Sequence, residues 1–91
     1  MEYDWDPAKC RRSIAGRGID FALVREFDWE SAHVIVDERR DYGELRYRVT
    51  GMIGTRLHAL VYTPGGGVVW VISLRKANAR ERRRYAEVQQ S

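Results

Sequence analysis

A single cysteine, two histidines and no apolar run longer than five residues remove several protein classes from consideration at once. Cys10 has no partner for an internal disulfide, which fits a reducing compartment such as the cytoplasm. One cysteine and the well-separated His33 and His58 cannot build a closed zinc site, so no metal and no cofactor are expected. The longest apolar run, Val68 to Ile72, is far too short to span a bilayer. The opening "MEYDWD" is acidic and resembles neither a signal nor a transit peptide. There is no internal repeat, low-complexity segment, Walker loop, nucleophile elbow or HExxH. "PGGGVV" is not a dinucleotide fingerprint, because no helix follows it.

What is present is one small domain, residues 1–91, with enough apolar and aromatic residues for a packed core without staples. The net charge is +3, and it is unevenly placed. Within residues 75–85, "RKANARERRRY", six basic residues face one acid, while the rest of the chain is slightly acidic. A local basic patch on a near-neutral body points to an anionic partner met at one place. Nucleic acid and an acidic protein segment both qualify. A membrane surface qualifies too but fits least, since the segment lacks a broad apolar face, and no membrane partner is expected.

The periodicity predicts an α+β fold: an antiparallel sheet of three to four strands, with two N-terminal helices and one C-terminal helix packed on it. "DWDPAK" starts the first helix, with Asp6 as N-cap and Pro7 in the first turn. It runs to about Arg17, with Ile14 and Ala15 toward the core, and Gly16 and Gly18 end it. Asp20 caps a second helix, whose buried stripe is Phe21, Leu23, Val24 and Phe27. "SAHVIVDE", "ELRYRVTGMIG", "RLHALVYT" and "VVWVISLR" read as strands. In the second, Arg46, Arg48 and Thr50 face away from Leu45, Tyr47, Val49 and Gly51. Asn78 and Glu81 form a capping box at the start of the last helix.

Arg75 stands at the exit of a buried strand, beside a helix N-terminus that itself favours anions. Its planar fork suits two phosphate oxygens or a strand-end carboxylate such as Glu44. Arg46 and Arg48 share a strand face and would converge with Arg75 if the strands were neighbours. Tyr85 follows Glu81 by about one turn, either packing on the sheet or aiming its hydroxyl at the arginines. Arg82, Arg83 and Arg84 fan around the helix, so at least one is only solvated. Lys76, Arg80, Arg82, Arg48 and His58 are the further candidates for contact with a substrate. The tryptophans Trp5, Trp29 and Trp70 read as core or rim.

The order "WDPAK", "GIDF", "DYGELRYRVTG", "LHALVYT", "VWVISLRKANARERRRY" resembles the BrnT family, the ribonuclease toxins of type II toxin–antitoxin pairs. The strand ending in "ISLRKA" and its "ER–Y" helix are the most specific piece. "GELR", with Gly43, Glu44 and Arg46, comes second. The resemblance implies a RelE-like microbial ribonuclease fold, cleavage of RNA without metal, and a block on translation. It implies Arg46, Arg75, Glu81 and Tyr85 as the catalytic positions. It also implies a BrnA-type antitoxin that dimerises the pair into a heterotetramer and carries any DNA binding. One departure stands out: where the family has a Lys-His-Gly step, this chain reads "GRG", with Arg17 in place of the histidine. The competing reading is a non-catalytic basic module for nucleic acid or an acidic protein partner.

Overall fold

A computed structural model describes residues 1–90. A five-stranded mixed sheet runs in the order β1-β5-β4-β3-β2. Its strands are β1 (Glu2–Trp5), β2 (His33–Val36), β3 (Tyr47–Ile53), β4 (Arg56–Gly65) and β5 (Val68–Lys76). Helix α1 (Pro7–Arg17) follows β1, and helix α2 (Ala79–Gln89) follows β5. The β4–β5 hairpin closes through Gly66 and Gly67, both at positive φ (58° and 78°). That pair of left-handed residues matches the twist of the strands it joins, which is why glycine belongs there.

The expected antiparallel sheet of three to four strands, drawn with the RelE-like resemblance, is overturned on two counts. First, residues 2–5 form a fifth strand, and it pairs parallel to β5, Glu2 with Val68 and Trp5 with Val71. Four alternating residues at an acidic terminus give too short a pattern to register as a strand, yet Tyr3 and Trp5 each turn a half-buried ring onto the core. Second, the second N-terminal helix is a 3-10 turn, Phe21–Glu26. Asp20 does cap it, and i→i+3 bonds such as Phe27 N–H to Val24 carbonyl (3.1 Å) close it. A six-residue segment held at both ends has no room for α-helical propagation.

Helix α1 carries Asp6 as N-cap, Pro7 in its first turn and Gly18 as C-cap. Its buried residues are Cys10 and Ser13, whereas Ile14 is 46 % exposed and Ala15 is exposed, which corrects the expected core face. The core lies on one face of the sheet. Phe21, Val24 and Phe27 meet Val49, Leu60, Val69, Val71 and Leu74 there. Each fully buried side chain of this kind contributes about 1.5–3 kcal/mol. Gly51 belongs to the same face, and a Cβ on it would lie 2.5 Å from the Phe27 ring. Among the described residues, α2 is the one helix that crosses the sheet's opposite face, which stays largely open. No helix among the described residues is long and apolar enough to cross a membrane.

Candidate active site

Strand alternation sets the open face. Across it, His33 of β2, Thr50 of β3, Ala59 of β4 and Arg75 of β5 stand in one row of register partners. Ile35, Arg48, Val61 and Ser73 make the next row. Residues two apart on a strand point the same way, so both rows face α2. The small and β-branched residues of β4 leave a floor between the two arginines. The result is an open groove of about 350 Å³, walled by Arg48, Arg75, Arg39, and by Arg80 and Arg84 of α2. Arg80 and Arg84 are four residues apart, hence on one side of their helix. Five guanidiniums share the groove with one carboxylate, Glu81. The potential there is strongly positive, and low-dielectric walls focus it.

Two carboxylates organise this charge. Glu81 takes Arg75 in a fork, Nη1–H to Oε1 at 2.7 Å and Nη2–H to Oε2 at 2.9 Å. It also accepts the Asn78 N–H at 2.9 Å, while Asn78 Oδ1 accepts the Glu81 N–H at 2.8 Å. The capping box and the ion pair are therefore one structure. Hydrogen bonds from Arg75 hold the Glu81 carboxyl below the usual carboxylate range, against burial, and the same pair pushes the Arg75 guanidinium up. Glu81 occupies the end-on fork of Arg75. Nη1 also reaches the Lys76 carbonyl at 3.3 Å. The side-on edge, Nε–H with the second Nη2–H, has no partner among the described residues and stays open to a ligand.

Asp37 is the second organiser. Its side chain is wholly buried, and it accepts two bonds from Arg39 at 2.8 Å and one from the Tyr42 hydroxyl at 3.2 Å. Hydrogen bonding to Arg39 holds its carboxyl far below the ordinary range, although burial opposes this. Arg48 Nε lies 3.9 Å from the same carboxylate and is buried without a hydrogen bond. Asp37 thus fixes Arg39 and draws Arg48 toward the groove.

The predicted residues separate in space. Arg75, Arg48, Arg80 and Glu81 line the groove. Arg46 is not in it: its guanidinium lies 4.1 Å over the Tyr42 ring and bonds Glu44 at 3.1 Å. Tyr85 turns its hydroxyl to the Ser31 carbonyl (3.0 Å) and sets its ring edge-on to His33, with centroids 6.4 Å apart. His58 is buried on the core face, opposite Gly51, with Nδ1–H donating to the Arg56 carbonyl at 2.9 Å. Lys76 is its register partner on β5 and stands outside the groove. Arg82 donates to the Ala77 carbonyl at 2.9 Å. Arg75, Arg46 and Tyr85 therefore do not converge.

Sequence reasoning passes over Asp37 and Arg39, and it names His33 and Arg84 without assigning either to the site. The alternation of His33 with Ile35 could have placed His33 on the arginine face. "DERR" has no periodicity, so nothing could have located Asp37 and Arg39.

A basic groove over the open face of a mixed sheet, with carboxylate-held guanidinium forks and one histidine, has the charge and donors that suit an anion. The BrnT family model, described as the ribonuclease toxin of type II toxin–antitoxin systems, matches residues 5–81. The chain belongs to that family of ribonuclease toxins. The match takes in Arg48, Arg75 and Glu81 and stops short of Arg84 and Tyr85. Comparison with curated proteins gives no match.

Proposed function

We propose that the chain is a metal-independent endoribonuclease toxin of the cytoplasm that cuts RNA at the groove between α2 and the open sheet face, and so blocks translation. The observation that carries this is the juxtaposition of Arg48 and Arg75 on one sheet face, with His33 on the same floor. RNA supplies its own nucleophile. The 2′-oxygen forms a bond to the adjacent phosphorus as the bond to the 5′-oxygen breaks. The 2′-hydroxyl proton passes to a base, and an acid delivers a proton to the leaving 5′-oxygen. The products are a 2′,3′-cyclic phosphate and a 5′-hydroxyl.

The free edge of Arg75 and the guanidinium of Arg48 hold the phosphate and offset the charge that builds on its oxygens. Arg75 is fixed in advance by Glu81 and needs little reorganisation when the substrate arrives, while Arg48 is only drawn toward the groove by Asp37. Glu81 is a positioning residue for Arg75, because all its bonds go to the protein. His33 is the ring available for proton transfer. Tyr85 acts through His33 by fixing its plane. Arg39, Arg80 and Arg84 track the RNA backbone. A type II antitoxin is the implied partner, here of BrnA type, and an acidic segment of it laid in the groove would neutralise the toxin. Dimerisation and DNA binding belong to that partner.

The test is cleavage of RNA by the purified chain in EDTA, beside Arg75→Ala and Arg48→Ala. Cleavage by wild type, loss in both folded variants and a cyclic phosphate at the new 3′ ends are expected. Activity that needs an added metal, or that survives in both variants, would overturn the reading.

A further inference from the structure

The groove does not use the charge of α1. That helix carries Lys9, Arg11, Arg12 and Arg17 and no acid, and among the described residues none of the four enters an ion pair. Arg17 at the C-terminal turn is explained by the helix dipole. Lys9 and Arg12, in the body of the helix, are not. These three line a second cavity of about 420 Å³, between α1 and β5, with Ser13 and Ser73. Ser13 is only 7 % exposed, and its Oγ is buried without a hydrogen-bond partner. A buried hydroxyl without a partner, facing a cavity ringed by cations, lacks the acceptor that a phosphate oxygen supplies.

The position of this cavity links it to the groove. Strand β1 covers the outer edge of β5 only as far as Val71. Beyond that point α1 flanks β5, and Ile72 and Ser73 form the cavity's inner wall. Ser73 turns its side chain to the groove face with Arg75, whereas Phe21 and Ser13 place the cavity on the core side, so the two sites lie on either side of the edge of β5 that β1 leaves uncovered. A single RNA strand of several nucleotides, passing over that edge, reaches from one to the other. We propose that the α1–β5 cavity is a second phosphate subsite, which holds the RNA backbone past the uncovered edge of β5, some nucleotides from the one cut in the groove, and lengthens the substrate the toxin grips. The subsite rests on the ribonuclease reading above. An acidic protein segment is the less fitting occupant, because the cavity offers apolar side chains only from Phe21 and Ile72 to anchor one.

The test uses uncleavable 2′-O-methyl RNA as a dinucleotide and as a strand of about ten residues. The proteins are wild type, Lys9→Ala/Arg12→Ala/Arg17→Ala and Ser13→Ala, with Arg75→Ala as the groove control. The triple variant should bind the longer strand roughly tenfold more weakly, with the salt slope reduced by about 1.4 if two contacts are lost. Its binding of the dinucleotide should match wild type. Ser13→Ala improves helix propensity, so it should keep its fold yet weaken the longer strand alone. Equal binding of both lengths by wild type and the triple variant, with Arg75→Ala impaired, would overturn the subsite and leave the groove standing. No RNA binding by wild type would overturn both. Loss of poly-glutamate binding in the triple variant, with RNA binding intact, would give the cavity to an acidic protein and overturn the proposal.

Discussion

Arg75 and Glu81 join the last strand to the last helix by a two-bond fork, 2.7 and 2.9 Å long, that also completes the helix cap. Helix α2 has no buried residue, so its attachment to the sheet depends on a few polar contacts of this kind. Glu81→Gln should lower stability by about 1–2 kcal/mol, the range for a lost cap and a part-exposed charged bond. A fall in melting temperature would check it. RNA cleavage should drop less than in Arg75→Ala, because Gln can still orient the guanidinium. Loss of activity equal to that of Arg75→Ala would make Glu81 a catalytic group.

The placement of the strand arginines predicts an order of effects. Arg75→Ala and Arg48→Ala should each cost about 100-fold or more in cleavage rate, as expected for a donor to a developing oxyanion. Arg46→Ala should stay within a few fold, since Arg46 spends its contacts on Tyr42 and Glu44. Single-turnover kinetics on one RNA would rank the three.

The two histidines should part company. His33→Ala should reduce cleavage by at least about 100-fold, with little change in melting temperature. His58→Ala should do the reverse, because it opens a hole in a buried site and frees the Arg56 carbonyl. Parallel melting and cleavage assays on the two variants decide the matter.

Asp37 and Glu81 set the acid limb of stability. Both carboxyls lie below their unfolded values of about 3.9 and 4.3 when folded. Their contribution is therefore complete above about pH 5. It is lost as pH falls through and below the unfolded values. Denaturant midpoints measured from pH 7 down to pH 3 should fall steeply in wild type and less so in Asp37→Asn. That variant should start about 1–3 kcal/mol less stable at pH 7, having lost its bonds to Arg39.

Gly51→Ala should destabilise by about 1–3 kcal/mol, because the added methyl overlaps the Phe27 ring. Pairing it with Phe27→Leu should recover part of the loss. Additive losses in chemical denaturation would show that the close approach is not the cause.

Local chemistry was legible in the sequence wherever one residue decided the outcome. Asp6, Pro7 and Gly18 bound α1 as read, and Asn78 with Glu81 caps α2. The alternation around Arg48 and Val49 gave β3 its two faces. What the residues could not show was pairing at a distance. The parallel contact of Tyr3 with Val69 joins positions far apart in the chain, and no local pattern encodes it. The groove failed to appear for the same reason. Arg39 reaches it because Asp37 is buried, and Arg46 leaves it because Tyr42 offers a ring. Each is a choice between partners that spacing leaves undecided.

The parallel pairing of β1 with β5 also sets an order of events during synthesis. Residues 2–5 are made before the strand they join, and have no partner until residues 68–71 follow them. Pairings of such long range are slow to close and cannot be anticipated by a partial chain. Arg75 and α2 lie later still. Until residues 68–89 have been made, the chain has a sheet without its outer pair and a groove without α2. The groove is thus among the last parts of this domain that synthesis can complete.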